Sequence, residues 1–329
     1  MFYFLIFFLI LSFVGIYLLA KQFKYGLKLT NINENNPWGL FVAGANYFSS
    51  LGSGLLFIVA VTVITGVALP QSLFLSSQVF SIGFFIGSFL LLTANAGRPL
   101  KFIKNLFKVN LQSPLTWFVL LIDLSILMNI LALLGLKLQI GQFSLWALFT
   151  LLISLLFIML LSFFIFIHQS NKDLLLNLNL LIRSLLEGTS LLGLIGLLVM
   201  TTLEQVALLV PGLLVLIVLN LVIIAMTAYA NKKPPSVYRY IPLIMAAIFL
   251  ATPISITLGI AFSGLLVLIS GFYERFEFIM LSQNVNYAMP EGMFYKKKNY
   301  SASLHEWALL VGVAGIAILI GGLGAYFIN

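Results

Sequence analysis

Charged side chains are scarce in this chain, and a few of them fall inside long apolar runs. An ionisable group at the depth of a bilayer costs several kcal/mol, so such residues are functional candidates by default. Arg183 and Glu187 are four residues apart. On a helix that spacing puts both on one face, where they can pair. A pair of this kind either lines a site or fixes helix packing. Asp123 lies about eight residues into another apolar run and has no partner of opposite charge there. Glu274 and Arg275 close the eighth run and read as interfacial, their stems in lipid and their heads near water. Asn46 and Tyr47 sit in a stretch of small residues from Gly44 to Gly54. An amide and a phenol can hydrogen-bond a carbonyl ligand or bridge two helices.

Other chemistries have little support in the sequence. There are no cysteines, which removes disulfides and thiolate-held iron–sulfur clusters or metals. The two histidines, His168 and His305, fall at the ends of apolar runs on opposite faces, which argues against a haem held by paired histidines. No clustered His or carboxylate set suggests a metal. No phosphate-binding or dinucleotide fingerprint is present, and no nucleophile–base pair. The formal charge of +8 sits on no soluble module, so nucleic acid is not an expected partner.

The elements that must position these residues are membrane helices. Hydrophobic residues make up 62% of the 329 residues and charged ones 8%, against about a quarter charged in a soluble domain. A spanning helix needs about 20 apolar residues. Nine runs qualify: Phe2–Ala20, Leu40–Thr65, Ser72–Leu92, Leu115–Leu136, Phe143–Ile167, Leu180–Met200, Val206–Ala230, Ile241–Gly271 and Leu304–Ile328. The eighth is long and contains Pro253, which predicts a tilt or a kink. Backbone groups in lipid must be satisfied internally, so the expected class is an all-α polytopic membrane bundle of about nine transmembrane helices. In Met1–Ala20 the positive charge follows the apolar run rather than preceding it, which predicts an uncleaved membrane helix rather than a signal peptide. The loops after runs one, three, five and seven carry eleven Lys and Arg, from Lys21 to Arg239. The other face carries Lys137 and Lys296–Lys298, with Arg275 near a helix end. The positive-inside rule then places the N-terminus outside and the C-terminus inside.

The order of short motifs adds a resemblance. Pro37-Trp38-Gly39-Leu40 opens the small-residue helix. Gly97-Arg98-Pro99 follows one helix later, then a basic stretch to Lys108, then Ser113-Pro114-Leu115-Thr116-Trp117. This order resembles the NrfD family, the membrane subunits of polysulfide reductases and related complexes. Arg183 to Gly188 and Glu274-Arg275-Phe276 are similar to later segments of that family. The resemblance covers roughly residues 37–328. It implies an eight-helix domain over residues 37–329, built as two four-helix bundles, with residues 1–36 as an added helix and basic loop. It implies a multi-pass subunit of the cell membrane that anchors an iron–sulfur ferredoxin-like subunit and a molybdopterin catalytic subunit, with dimers of the complex as a further expectation. The implied activity is electron transfer between a menaquinol-type quinone and the partner's clusters, in anaerobic respiration with sulfur or polysulfide. By position in the family, Trp38, Asn46, Tyr47, Arg98 and Trp117 would lie near the quinone. Asp123, Arg183 and Glu187 would supply protons or a charged lining. The chain itself is expected to hold no haem, iron–sulfur cluster or metal. Leu161-Ser162-Phe163 and Asn171-Lys172-Asp173 depart from the tyrosine and Arg-Pro found there in the family.

Two other classes stay open at this point. A secondary transporter predicts inverted repeats and broken helices at mid-membrane; Pro211 and Pro253 could break helices, but they form no matched pair in two halves. A passive anchor without quinone chemistry predicts that the buried charges serve packing alone.

Overall fold

The computed structural model describes residues 2–32, 39–67, 69–97, 104, 114–135, 139–140, 143–166, 174–199, 209–231, 236–252, 255–282 and 300–328. Among them are ten α-helices: α1 (Phe2–Tyr25), α2 (Leu40–Thr65), α3 (Gln71–Asn95), α4 (Pro114–Leu133), α5 (Leu145–Phe166), α6 (Leu174–Leu198), α7 (Leu209–Asn231), α8 (Val237–Ala251), α9 (Ile256–Ser282) and α10 (Leu304–Ile328). A pair of two-residue strands, Gln139–Ile140 and Phe143–Ser144, joins α4 to α5. Eight of the helices are long and apolar enough to cross a membrane; α8 and the described apolar stretch of α5 are shorter. The protein is an all-helical polytopic membrane bundle.

The helices group by their contacts. Helices α2 to α5 form one four-helix bundle and α6 to α9 a second, and α2 joins the two by packing on both α6 and α9. Helix α10 packs on α3, and α1 packs on α10. Small residues set the close crossings, because they let backbones approach. A Cβ on Gly54 of α2 would fall on the Ser184 carbonyl of α6, and a Cβ on Gly188 would fall on the backbone of Gly54. These two glycines let α2 and α6 run against each other, which the site below requires.

The eighth apolar run is two helices, not one kinked helix. Pro253 cannot donate to a helical ladder and restricts the residue before it, and α8 ends one residue before Thr252. α9 then runs back along α8. Phe249 stacks on Phe262, Tyr238 packs on Tyr273, and Ser270 Oγ donates to the Arg239 carbonyl at 2.7 Å. Together with the antiparallel contacts Ser49–Ser88, Gly15–Gly312 and Phe80–Gly321, this places the helix ends alternately at two ends of the bundle. The starts of α2, α4, α6, α8 and α10 share the end where α1, α3, α5, α7 and α9 finish. The expected nine crossings thus become ten segments, and the chain's two termini fall at the same end. In sequence Lys296–Lys298 fall between α9 and α10, and the end of α9 and the start of α10 lie at the end where α1 finishes. Likewise, every lysine except Lys137 falls in the last turns of α1 or between helices whose described ends lie at that one end.

The same basic end is fastened by Glu306, which is fully buried. Ser303 and Glu306 form a reciprocal cap at the start of α10: Glu306 N–H donates to Ser303 Oγ (3.2 Å) and Ser303 N–H to Glu306 Oε2 (2.8 Å). Asn31 N–H, beyond α1, donates to the same oxygen at 3.1 Å. Tyr300 donates its hydroxyl to Glu306 Oε1 and accepts from the Leu40 N–H at the start of α2 (2.9 Å). Burial and the Glu306 carboxylate push the Tyr300 phenol well up, so it stays a donor. One carboxylate therefore ties the ends of α1, α2 and α10 together.

Candidate functional site

Arg183 and Glu187 pair along α6 as their spacing predicts, Nε to Oε1 at 3.4 Å, both fully buried. They are the core of a larger network. α9 contributes Glu274 and Arg275, each 1% exposed. α8 contributes Arg239, which meets Glu274 at 2.6 Å. Arg275 Nη1 lies 3.2 Å from Glu187, and Arg183 Nε 3.4 Å from Glu274. Each carboxylate therefore faces more than one guanidinium.

Neutral polar groups complete the shell. Ser50 of α2 donates to Glu187 Oε2 (2.8 Å) and accepts from Arg275 (2.6 Å). Ser184 receives a second bond from Arg275 at 3.2 Å. Asn179 donates to Glu274 (2.6 Å), Arg183 to Asn220 of α7 (3.0 Å), and Asn220 to Asn179 (3.1 Å). Gly271 makes room for the Glu187 carboxylate, because a Cβ there would land on Oε1. The network thus draws on α2, α6, α7, α8 and α9. It begins near the basic end at Arg239, which is 11% exposed, and reaches Glu187, about 20 Å along α6 from its start at 1.5 Å per residue. Three guanidiniums face two carboxylates, a net charge of +1. In a low-dielectric interior such a network is held by mutual pairing and hydrogen bonds.

Tyr47 stands beside it. Its hydroxyl donates to the Leu268 carbonyl of α9 at 2.8 Å, and its ring is within the electrostatic reach of Glu187, Arg183 and Arg275. The ring packs edge-on against Phe272 at 5.5 Å. Phe272 and Phe276 in turn meet Trp307 of α10 at 6.0 and 6.1 Å. Trp307 is 40% exposed, so this aromatic wall between α9 and α10 runs from the bundle surface to Tyr47. Asn46 lies one helical turn before Ser50 on the same face of α2. It is buried, and its Oδ1 has no hydrogen-bond partner.

The structure brings Tyr47, Arg183 and Glu187 together, with Asn46 one turn away. It does not bring Asp123 or Trp117 to them. Both are exposed on α4, which packs on α3 and α5. Trp38 and Arg98 lie outside the described residues. Glu274 and Arg275 are corrected from interfacial to fully buried, because α9 continues through them to Ser282. Arg239, counted with the loop cations, is an α8 residue paired with Glu274. The polar run Glu274-Arg275-Phe276-Glu277 mimicked a helix end, and no local pattern in the sequence separates the two readings. Among the described residues no group of three or more His, Asp or Glu is placed to hold a metal ion.

No family profile matches the chain, and no curated protein matches it.

Proposed function

We propose that this chain is the quinone-reactive membrane subunit of a respiratory oxidoreductase complex of the NrfD type. The observation that carries the reading is the aromatic wall Phe272–Phe276–Trp307, which leads from the lipid-facing surface to Tyr47 beside the Glu187–Arg275 pair. A quinone has a long apolar tail and a flat neutral head with two oxygens. An aromatic approach ending on polar groups suits both parts. The unpaired Oδ1 of buried Asn46 is an acceptor for a quinol hydroxyl, and its amide N–H a donor for a quinone carbonyl. A bound quinone supplies two-electron, two-proton redox chemistry. The chain's own residues orient the head group, exclude water, and offer a carboxylate, Glu187, within the Ser50 and Arg275 hydrogen bonds to hold or pass a proton.

In this reading the electrons pass to or from an iron–sulfur ferredoxin-like subunit and a molybdopterin catalytic subunit, with sulfur or polysulfide as the terminal substrate. The lysines gathered at one end favour an orientation with that end in the cytoplasm of a cell membrane. They also suit docking of an acidic iron–sulfur partner there.

The test is quinol-linked turnover and binding of a quinone analogue by the intact complex carrying Tyr47→Phe or Asn46→Leu. Loss of one productive hydrogen bond lowers analogue affinity about tenfold, equivalent to about 1.4 kcal/mol. Unchanged affinity and turnover in both variants would overturn the proposal.

A further inference from the structure

Asp123 sits at the middle of α4, nine residues from its start at Pro114 and ten from its end at Leu133. That is about 14 Å from either end at 1.5 Å per residue, the depth where a charge is least tolerated in lipid. Yet Asp123 is exposed. Leu127 and Ile130, one and two turns on along the same stripe, are exposed too, as are Leu124 and Trp117 further round the helix. The charged network offers no partner, because its arginines are enclosed among α6, α8 and α9. An intramembrane carboxyl group on an outward face points to a partner outside the chain.

A second copy does not fit that role. Arg183 and Arg275 are fully buried and already paired. In sequence the lysines fall outside the middle of any helix, and Lys137 comes after the end of α4 at Leu133, which is itself about 15 Å of helix beyond Asp123. A parallel two-fold pairing through this face would set Asp123 against Asp123, like against like.

We infer that the Asp123 face of α4 docks a transmembrane helix of another subunit, one that carries a lysine or arginine at mid-depth. The apolar residues above and below Asp123 pack on the flanks of that helix, and the ion pair fixes its depth and rotation. This inference stands apart from the quinone reading, since Asp123 lies away from the network and the aromatic wall.

Dicyclohexylcarbodiimide, an apolar reagent for carboxyl groups in lipid surroundings, tests it. Native membranes and the full chain expressed alone are labelled in parallel, and the Asp123 adduct is read by mass spectrometry. The expected result is at least tenfold less adduct in native membranes than in the chain alone. Equal labelling in the two samples would mean that the face meets only lipid and would overturn the inference. Protection of the chain alone that grows with its own concentration would identify a second copy and overturn it as well. Asp123→Lys, a change on the outer face that leaves the buried network untouched, is expected to release a subunit from the complex on native gels, and Asp123→Glu to retain it. An unchanged complex with lysine at this position also refutes the docking.

Discussion

Removing one charge from the buried network should destabilise the bundle far more than removing an oppositely charged pair. Glu187→Gln keeps the side-chain volume and an oxygen for Ser50 to donate to, but it takes away the carboxylate that faces Arg183 at 3.4 Å and Arg275 at 3.2 Å. The network then holds three guanidiniums against Glu274 alone, and its net charge rises from +1 to +2. Breaking a buried pair by removing one partner costs about 3–5 kcal/mol. Arg275→Gln alone also costs stability, because Glu187 is left with Arg183 only. The double variant restores a net charge of +1, and both new amides can hydrogen-bond each other and Ser50. Replacing both members of a buried pair by neutral groups is often close to neutral. The double variant is therefore expected to be no less stable than either single one, a coupling of about 3 kcal/mol. Thermal unfolding of the purified protein in detergent, followed by intrinsic tryptophan fluorescence, measures all four corners of the cycle. Strictly additive losses would refute the view that these residues act as one electrostatic unit.

Two further outcomes follow from the fold. Glu306→Gln leaves three donors around a neutral side chain and should lower stability by about 2–3 kcal/mol, the scale of bonds to a charged group; a thermal midpoint identical to wild type would show that the tie among α1, α2 and α10 is not what holds that end. Reporters fused after Lys108 and after Asn329 should lie on opposite sides of the membrane, because the split of the eighth run puts the C-terminus at the far end. Nine crossings would have put them on the same side, and that result would refute the α8–α9 hairpin.

The run positions were legible because hydropathy alone reports burial in lipid, and most boundaries fall within a few residues of the helices. What hydropathy does not resolve is a tight hairpin whose two helices are both apolar: Ile241–Gly271 reads as one long segment although α8 and α9 are antiparallel. Pro253 was the visible sign, and it supports either a kink or a break. The Arg183–Glu187 pair was legible from its i, i+4 spacing. Its partners on α8 and α9 were not, because ion pairing between distant segments leaves no local pattern. Once Glu274 is neutralised by Arg183 and Arg239, a helix can carry it through the bundle without ending there. Asp123 shows the converse: its type and depth marked it, but only the packing of α4 shows that it faces away from the network.

The two basic residue types are separated in space, and their chemistry accounts for the division. Every arginine except Arg98 is in the buried network, and every lysine lies at a helix end or in a connecting segment. A guanidinium is weakly hydrated, keeps its charge, and offers five donors in a fixed plane. Arg275 uses that plane to reach Glu187, Ser50 and Ser184 at once, which no single ammonium could do in the same space. An ammonium is strongly hydrated and belongs near water. In sequence the lysines accordingly fall at helix ends and between helices, where water is near. The arginines act inside, where they pair with two carboxylates enclosed among the helices. Arg183→Lys is thus not a conservative change here: the single ammonium loses the bond to Asn220 or the contacts to the two glutamates, and the network opens at the point where α6, α7 and α9 meet.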